Sequence, residues 1–189
     1  MTIKEAEEFF KQCNGNGYYM CLNDEPKYHE FQALNLSDDI LDRWKQEKVQ
    51  LLYEKLWDDK NDTWLKLHEI FELIRSPKIN TEQSIKLFLN EVNKCMDLDN
   101  LSKIILIEEF AGKTESQEDG ICFFICKYYP NLNEEMNIIV KKLMEFQHVG
   151  DLKLKERLKS AIDKYEKVFN KFSKNKKRKT KNEIGFKYK

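Results

Sequence analysis

Glycine and proline are scarce in this chain, which has six glycines and three prolines among its 189 residues. An all-β sandwich needs a turn every ten residues or so, and such turns draw heavily on both residue types. Collagen and glycine-rich linkers need far more of them. The chain is nevertheless 41% hydrophobic and 35% charged, which is enough to bury a core beneath a densely charged surface. The composition therefore favours long helices and excludes a wholly disordered chain.

Long apolar runs are also absent. A membrane-spanning helix needs about 20 consecutive apolar residues, whereas runs such as 104–107 and 121–126 have only the length of a core segment. The N-terminus has no basic stretch followed by an apolar one, as a signal peptide would have. The five cysteines are an odd number and include no C-x-x-C pair, so no disulfide framework is predicted. These absences predict a protein without a membrane span in the reducing cytoplasm.

Charge is distributed unevenly along the chain, although 33 basic and 33 acidic residues balance overall. Residues 171–189 hold nine basic residues and one acidic residue, a net charge of +8, which leaves −8 for residues 1–170. A block of like charge is typical of a solvated segment outside the core. The sequence therefore predicts a single all-α domain over residues 1–172 and a basic, disordered C-terminal tail over residues 173–189.

Capping signals precede most of the apolar stripes in the chain. Thr2 and Glu5 have the spacing of a capping box, and Pro26 suits the first turn of a helix that starts after Asp24. Further along, apolar residues recur at three- and four-residue spacing as far as position 172, which predicts a series of amphipathic helices. Residues 18–22 follow an Asn-Gly turn signal and are predicted to form a strand or extended chain.

The connections between the predicted helices are only two to eight residues long. Short connections favour antiparallel packing of consecutive helices, and three such pairs are expected, over residues 61–96, 99–129 and 131–172. The predicted fold is an irregular multi-helix bundle of antiparallel helical hairpins. A short α-solenoid is the alternative, although no residue-level repeat supports it.

No spacing of catalytic or metal-binding residues stands out. Glu145 and His148 have the Glu-x-x-His spacing of half a carboxylate-bridged di-metal site, but the other two histidines supply no second half. Cys122 and Cys126 share a helix face, yet no further ligands of a tetrahedral site lie near them in sequence, so we interpret both as small buried hydrophobes. No metal, cofactor or catalytic residue is predicted, which favours a non-enzymatic protein. An active site built only from Asp, Glu, Lys and Tyr has no spacing signature and stays open.

Four large aromatic residues fall between positions 44 and 64, namely Trp44, Tyr53, Trp57 and Trp64. Tryptophan and tyrosine are enriched among residues that dominate protein–protein binding. The alternative interpretation makes them core anchors where two long helices meet. The leading hypothesis is a helical protein–protein interaction or adaptor protein that uses these four residues to bind another protein.

The tail suggests a second hypothesis, in which the protein associates with nucleic acid. Basic side chains that condense on phosphates alternate there with aromatic rings that stack on unpaired bases. With four arginines and 29 lysines in the whole chain, nonspecific contacts are expected rather than base readout. The alternative is a merely solvated tail. The candidate residues are Lys174, Lys176, Lys177, Arg178, Lys179, Lys181, Phe186 and Tyr188.

Overall fold

A computed structural model describes residues 1–76, 78–114, 116–146 and 150–185, with side chains as far as Ser173. Within those ranges there are ten α-helices and no strand, and the structure is 77% helical. The predicted all-α, multi-helix class is therefore confirmed. The chain divides into two compact units, Met1–Phe88 and Leu89–Lys189.

The first unit contains five complete helices and the start of a sixth. The capping box predicted at its N-terminus is present, because the Thr2 N–H donates to Glu5 Oε2 at 2.7 Å and the Glu5 N–H donates to Thr2 Oγ1 at 3.3 Å. A proline also lies in the first turn of the third helix, as predicted. The helices are α1 (Ile3–Gln12), α2 (Gly17–Asn23), α3 (Glu25–Ala33), α4 (Asp38–Glu54), α5 (Thr63–Ile74) and α6 (Glu82–Asn93), of which α6 crosses the boundary between the units.

The prediction for residues 18–22 is wrong, because these residues belong to helix α2. The turn signal before them ends α1 and at the same time starts the next helix. The side chain of Asn16 accepts hydrogen bonds from the N–H groups of Tyr18 and Tyr19, at 3.0 and 3.3 Å. Those two N–H groups would otherwise have no partner at a helix N-terminus. The cap therefore favours a helix over an extended segment.

Helices α1, α2 and α4 share a buried cluster in the first unit. The ring of Phe10 stacks on Phe31 with centroids 5.9 Å apart and meets the Trp44 ring at 5.6 Å. Helix α4 also packs against α5, whose Phe71 ring lies 5.5 Å from that of Phe88. The buried members of the cluster are Ala6, Phe9, Phe10, Cys13, Met20 and Trp44.

The second unit is dominated by its last helix. Its elements are the end of α6, then α7 (Asn100–Ala111), α8 (Ile121–Tyr128), α9 (Asn133–Leu143) and α10 (Leu152–Gly185). Helix α10 packs most extensively against α7 and next against α8. Tyr165 of α10 is buried and its hydroxyl lies 3.3 Å from Asn137 Oδ1. Arg157 makes two hydrogen bonds of 2.6 Å to the Glu108 carboxylate of α7.

Two glycines allow the tight connection between α7 and α8. Gly112 has φ +85°, in the left-handed region that glycine tolerates best. A Cβ on Gly120 would lie 2.7 Å from the backbone nitrogen of Gly112. The Asp119 carboxylate accepts hydrogen bonds from the Lys113 N–H at 2.8 Å and the Thr114 hydroxyl at 2.5 Å. The loop is thus held closed by one carboxylate and by close backbone contact.

Helix α10 continues through Gly185, so the backbone of residues 173–185 is helical. Residues 186–189 lie outside the described ranges. The predicted limits of a single domain and of a disordered tail stay predictions. Over the part of the chain that the structure describes, no helix combines the length and the apolar character that crossing a bilayer requires.

Candidate functional site

Helix α2 exposes three large side chains, Tyr18, Tyr19 and Leu22, which we call the α2 surface. Their exposed fractions are 68%, 58% and 66%. Leu22 follows the two tyrosines by four and three residues, the spacings that bring side chains together on a helix. The tyrosine rings are 5.7 Å apart and tilted by 59°. Between them and Leu22 in sequence, Met20 is 1% exposed and anchors the helix in the core.

A tight turn joins α1 to α2. Gly15 has φ +66°, and a Cβ there would lie 2.6 Å from the ring of Phe10. Its N–H donates to the Phe10 carbonyl at 2.9 Å, which closes the end of α1. One residue later Asn16 caps α2. A Cβ on Gly17 would lie 2.9 Å from the Tyr28 hydroxyl of α3, so the orientation of α2 depends on close packing at both glycines.

The charged residues next to α2 in sequence are acidic. From Gln12 to Pro26 the chain contains no lysine or arginine, and its two charged residues are Asp24 and Glu25. Asp24 is exposed while its Oδ1 accepts a hydrogen bond from the Lys27 N–H at 3.0 Å. The side chain of Glu25 is 71% exposed, and its Oε1 lies 3.8 Å from the Nε2 of His29.

The two lysines that flank this segment are already engaged. Lys11 Nζ pairs with Glu7 at 2.5 Å and with Glu47 at 2.6 Å. Burial by itself would lower the pKa of Lys11, but its hydrogen bonds to the two carboxylates outweigh burial and raise it. The ammonium of Lys27 lies 4.9 Å above the centroid of the Phe9 ring. The charge of Lys11 is therefore neutralised by its two carboxylates, whereas Lys27, three residues after Asp24, lies against a neutral ring and keeps its full positive charge.

The four aromatic residues predicted to bind a partner are placed differently from one another. Trp44 is 1% exposed and packs in the core of the first unit, which supports the core-anchor alternative for this residue. Tyr53 and Trp64 are half-buried on α4 and α5. Trp57, in the turn after α4, is 36% exposed. Partner binding by these residues stays a prediction.

The predicted nucleic-acid residues lie at the C-terminal end of α10 or beyond it. Positions 174–181 are on the helical backbone of α10, while Phe186 and Tyr188 lie outside the described ranges. Nucleic-acid binding by this segment stays a prediction.

The cysteine pair on α8 is buried in the core of the second unit. Cys122 Sγ and Cys126 Sγ are 4.0 Å apart. The hydrogen bond to Cys126 and the burial both raise the pKa of Cys122, so the thiol form is favoured over a metal-binding thiolate. Among the residues that the structure describes, no three His, Cys, Asp or Glu side chains gather as ligands. His148 lies outside the described ranges.

The second unit has an open cleft of about 610 Å³. Two lysines and two carboxylates line it, so no single sign of charge dominates. Lys142 Nζ lies 3.4 Å from Asn93 Oδ1. The lining residues are Met96, Asp97, Leu98, Asn100, Lys103, Lys142 and Glu145.

No family model, curated protein or solved structure matches this chain. The α2 surface, which the sequence prediction missed, places three of the exposed large hydrophobic residues of the first unit on one short helix. The signal for it is present in the sequence, because a capping asparagine at position 16 precedes Tyr18, Tyr19 and Leu22 at helical spacing.

Proposed function

We propose that this protein is a non-enzymatic helical interaction protein that binds another protein through the α2 surface. The observation that carries the proposal is the exposure of Tyr18, Tyr19 and Leu22 on one short helix. Exposed large apolar side chains that stand together are a mark of interaction sites, and tyrosine gives a large contact area at a small entropic cost.

Two aspartates with a lowered pKa, Asp99 and Asp119, make hydrogen bonds that serve the fold. Burial by itself would raise the pKa of Asp99, but hydrogen bonds from Ser102 and Leu101 outweigh it and lower that pKa. Asp99 is the N-cap of α7. Asp119 has a lowered pKa for the same reason, since the hydrogen bonds from Thr114 and Lys113 outweigh its burial. Both carboxylates hold the backbone together, which is an ordinary structural use of an aspartate.

The test is affinity capture with the full chain and two matched variants. Replacing Tyr18, Tyr19 and Leu22 by alanine removes the α2 surface and keeps good helix formers in α2. The control variant replaces Leu65, Leu101 and Tyr128 by alanine, which are also exposed, at 41%, 43% and 55%. We expect a partner captured by the unmodified protein and by the control to be lost with the α2 variant. Equal capture by all three proteins would contradict the proposal.

The charge block at the C-terminus supports a second candidate function, nonspecific association with nucleic acid. Residues 171–189 carry a net charge of +8, and phosphate neutralisation by lysine releases counterions from the nucleic acid. In this alternative the tail supplies the affinity while the acidic remainder of the chain limits contacts by repulsion.

Electrophoretic mobility shift with single- and double-stranded DNA and RNA tests this alternative. The full chain is compared with a chain ending at residue 172, at about 50 mM and about 200 mM salt. If the tail binds phosphates, only the full chain shifts the probe, and its affinity falls steeply at the higher salt concentration. Identical behaviour of the two chains would exclude a role for the tail.

A further inference from the structure

We infer that the α2 surface binds an arginine-bearing segment of another protein. This inference rests on the proposed function and specifies the chemistry of the partner. The guanidinium groups would stack on the Tyr18 and Tyr19 rings and pair with the carboxylates of Asp24 and Glu25. Leu22 would contact the aliphatic part of the arginine side chain or an apolar neighbour.

The tyrosine rings offer two exposed π faces at one place. Cations, arginine more often than lysine, are attracted to the negative face of an aromatic ring. Rings in this chain already hold cations in this way. The Lys27 ammonium lies 4.9 Å from the Phe9 centroid, and the Arg75 guanidinium carbon lies 5.5 Å from the Phe71 centroid.

Charge complementarity selects a basic occupant. Asp24 and Glu25 follow directly on α2, no lysine or arginine lies between Gln12 and Pro26, and Lys11 is paired with Glu7 and Glu47. The positive charge of Lys27 and the contact of Glu25 with His29 offset part of this acidic charge, but the first unit as a whole has 17 acidic and 12 basic residues. An exposed carboxylate matches the planar, two-pronged guanidinium better than the compact, strongly hydrated ammonium of lysine. The same carboxylates repel nucleic-acid phosphates and anionic lipid headgroups.

The test uses a fluorescein-labelled peptide of alternating arginine and leucine, titrated with the full chain and followed by fluorescence polarisation. Two matched peptides replace arginine by lysine or by citrulline, which keeps the shape of arginine and removes its charge. We expect saturable binding of the arginine peptide, weaker binding of the lysine peptide and loss of binding of the citrulline peptide. Equal binding of the arginine and citrulline peptides would overturn the inference.

Protein variants locate the site. Replacing Tyr18 and Tyr19 by leucine keeps apolar area and removes the π faces, and we expect about tenfold weaker peptide binding. Tyr128→Leu is the matched control, because Tyr128 is also exposed, at 55%, and we expect it to bind normally. Asp24→Asn removes a charge while asparagine still caps α3, and combined with Glu25→Gln it should also weaken binding.

Asp38→Asn is the matched charge control, since Asp38 is an exposed acid at the start of α4, and it should have no effect. Circular dichroism of each variant establishes that its helices are intact. Unchanged peptide binding by the folded tyrosine variant overturns the inference.

The outcomes separate this inference from the proposed function. If the alanine variant of the α2 surface loses its captured partner while the leucine variant retains it, the surface binds an apolar partner. The arginine inference then fails and the proposed function stands. If the alanine variant also keeps the partner, both fail. Binding of a single-stranded RNA or of phosphatidylserine vesicles that depends on Tyr18 and Tyr19 would likewise overturn the inference, because the carboxylates should repel both.

Discussion

Trp44 is the largest side chain that is almost completely buried, with 1% of its surface exposed. Its ring contacts Phe10 of α1, so it ties α4 to the N-terminal helices. Truncation of such a residue removes apolar burial and leaves a cavity as well. The exposed tyrosines of α2 lack this role, since most of their surface is already in contact with water.

Trp44→Ala should therefore lower the free energy of unfolding by about 3–5 kcal/mol, as is usual for large-to-small changes in a core. Tyr18→Ala, the surface control, should change it by less than about 1 kcal/mol. Urea denaturation followed by circular dichroism measures both values. A Trp44 variant as stable as the Tyr18 variant would contradict the core position of Trp44.

The five cysteines differ in how accessible their thiols are. Cys21 is half-buried, whereas Cys13, Cys95, Cys122 and Cys126 are buried. Burial raises the pKa of Cys13, and it raises that of Cys95 to about 12. The reactive form of a thiol is its thiolate. Burial keeps a reagent away from all four buried thiols, and the raised pKa protects Cys13 and Cys95 further.

We therefore expect Ellman's reagent at pH 8 to modify Cys21 alone in the native protein, and all five cysteines after unfolding in guanidinium chloride. Cys21→Ser should abolish the native reaction. Rapid native reaction of a second thiol in that variant would show that a buried cysteine is accessible.

At the scale of the element, α2 depends on its N-cap. Helix α2 has seven residues, and isolated helices of that length are unstable in water. The cap at Asn16 and the packing of Met20 in the core therefore have to hold it in place.

Asn16→Ala should destabilise α2 by about 1 kcal/mol, because two backbone N–H groups lose their partner. Hydrogen exchange followed by mass spectrometry should show faster exchange over residues 17–23 and unchanged exchange in α7. Asn16→Asp, which retains a capping oxygen, should restore protection. If α2 exchanges at the same rate in the Asn16→Ala variant as in the unmodified protein, the cap contributes nothing to its stability.

The connection between α7 and α8 also depends on close packing, in this case of backbone against backbone. A Cβ on Gly120 would approach the backbone at Gly112 to 2.7 Å, and backbone cannot move aside as a flexible side chain can. Gly120→Ala should therefore lower the midpoint of thermal unfolding, whereas Gly150→Ala should not, since a Cβ at position 150 would have no heavy atom within 4 Å. Equal midpoints for the two variants would show that the loop adapts.

At the scale of the whole molecule, charge differs between the two compact units. The Met1–Phe88 unit has 17 acidic and 12 basic residues, and the Leu89–Lys189 unit has 16 acidic and 21 basic residues. Opposite net charges favour different classes of partner for the two units. An acidic first unit suits the basic protein segment proposed for α2, and the basic end of the second unit suits phosphates.

The stability of the whole molecule should fall at alkaline pH. The folded state raises the pKa of the Cys95 thiol to about 12 from a value of 9.0, so above pH 9 the unfolded state releases a proton that the folded state retains. Unfolding then becomes easier as pH rises, by up to about 1.4 kcal/mol per pH unit for one group. Burial raises the pKa of Tyr165 in the same direction.

Urea denaturation between pH 8 and pH 10.5 measures this loss. Cys95→Ala should be less stable than the unmodified protein at pH 8, because a buried side chain is truncated, but its stability should decline less steeply above pH 9. Parallel pH profiles for the two proteins would mean that the Cys95 thiol does not contribute.

Much of the fold follows from local patterns in the chain. The capping box at Thr2, the proline in the first turn of α3 and the glycine that ends α7 each act over a few residues, so the all-α class was predictable. The segment at Tyr18 was mispredicted because the same Asn-Gly signal serves a turn or a helix cap. Whether this segment becomes a helix depends on the burial of Met20 against residues of other helices.

The amino-acid sequence alone is sufficient for the helical class, the positions of most caps and the separation of charge, since each depends on residues close together in the chain. Tertiary structure alone decides which aromatic residues are buried and which face water. Trp44 is enclosed because α1 packs on α4, whereas Tyr18 and Tyr19 are exposed because the core takes Met20 from the same short helix. Likewise, the pairing of Glu108 with Arg157 joins residues 49 positions apart, a separation that no local pattern encodes.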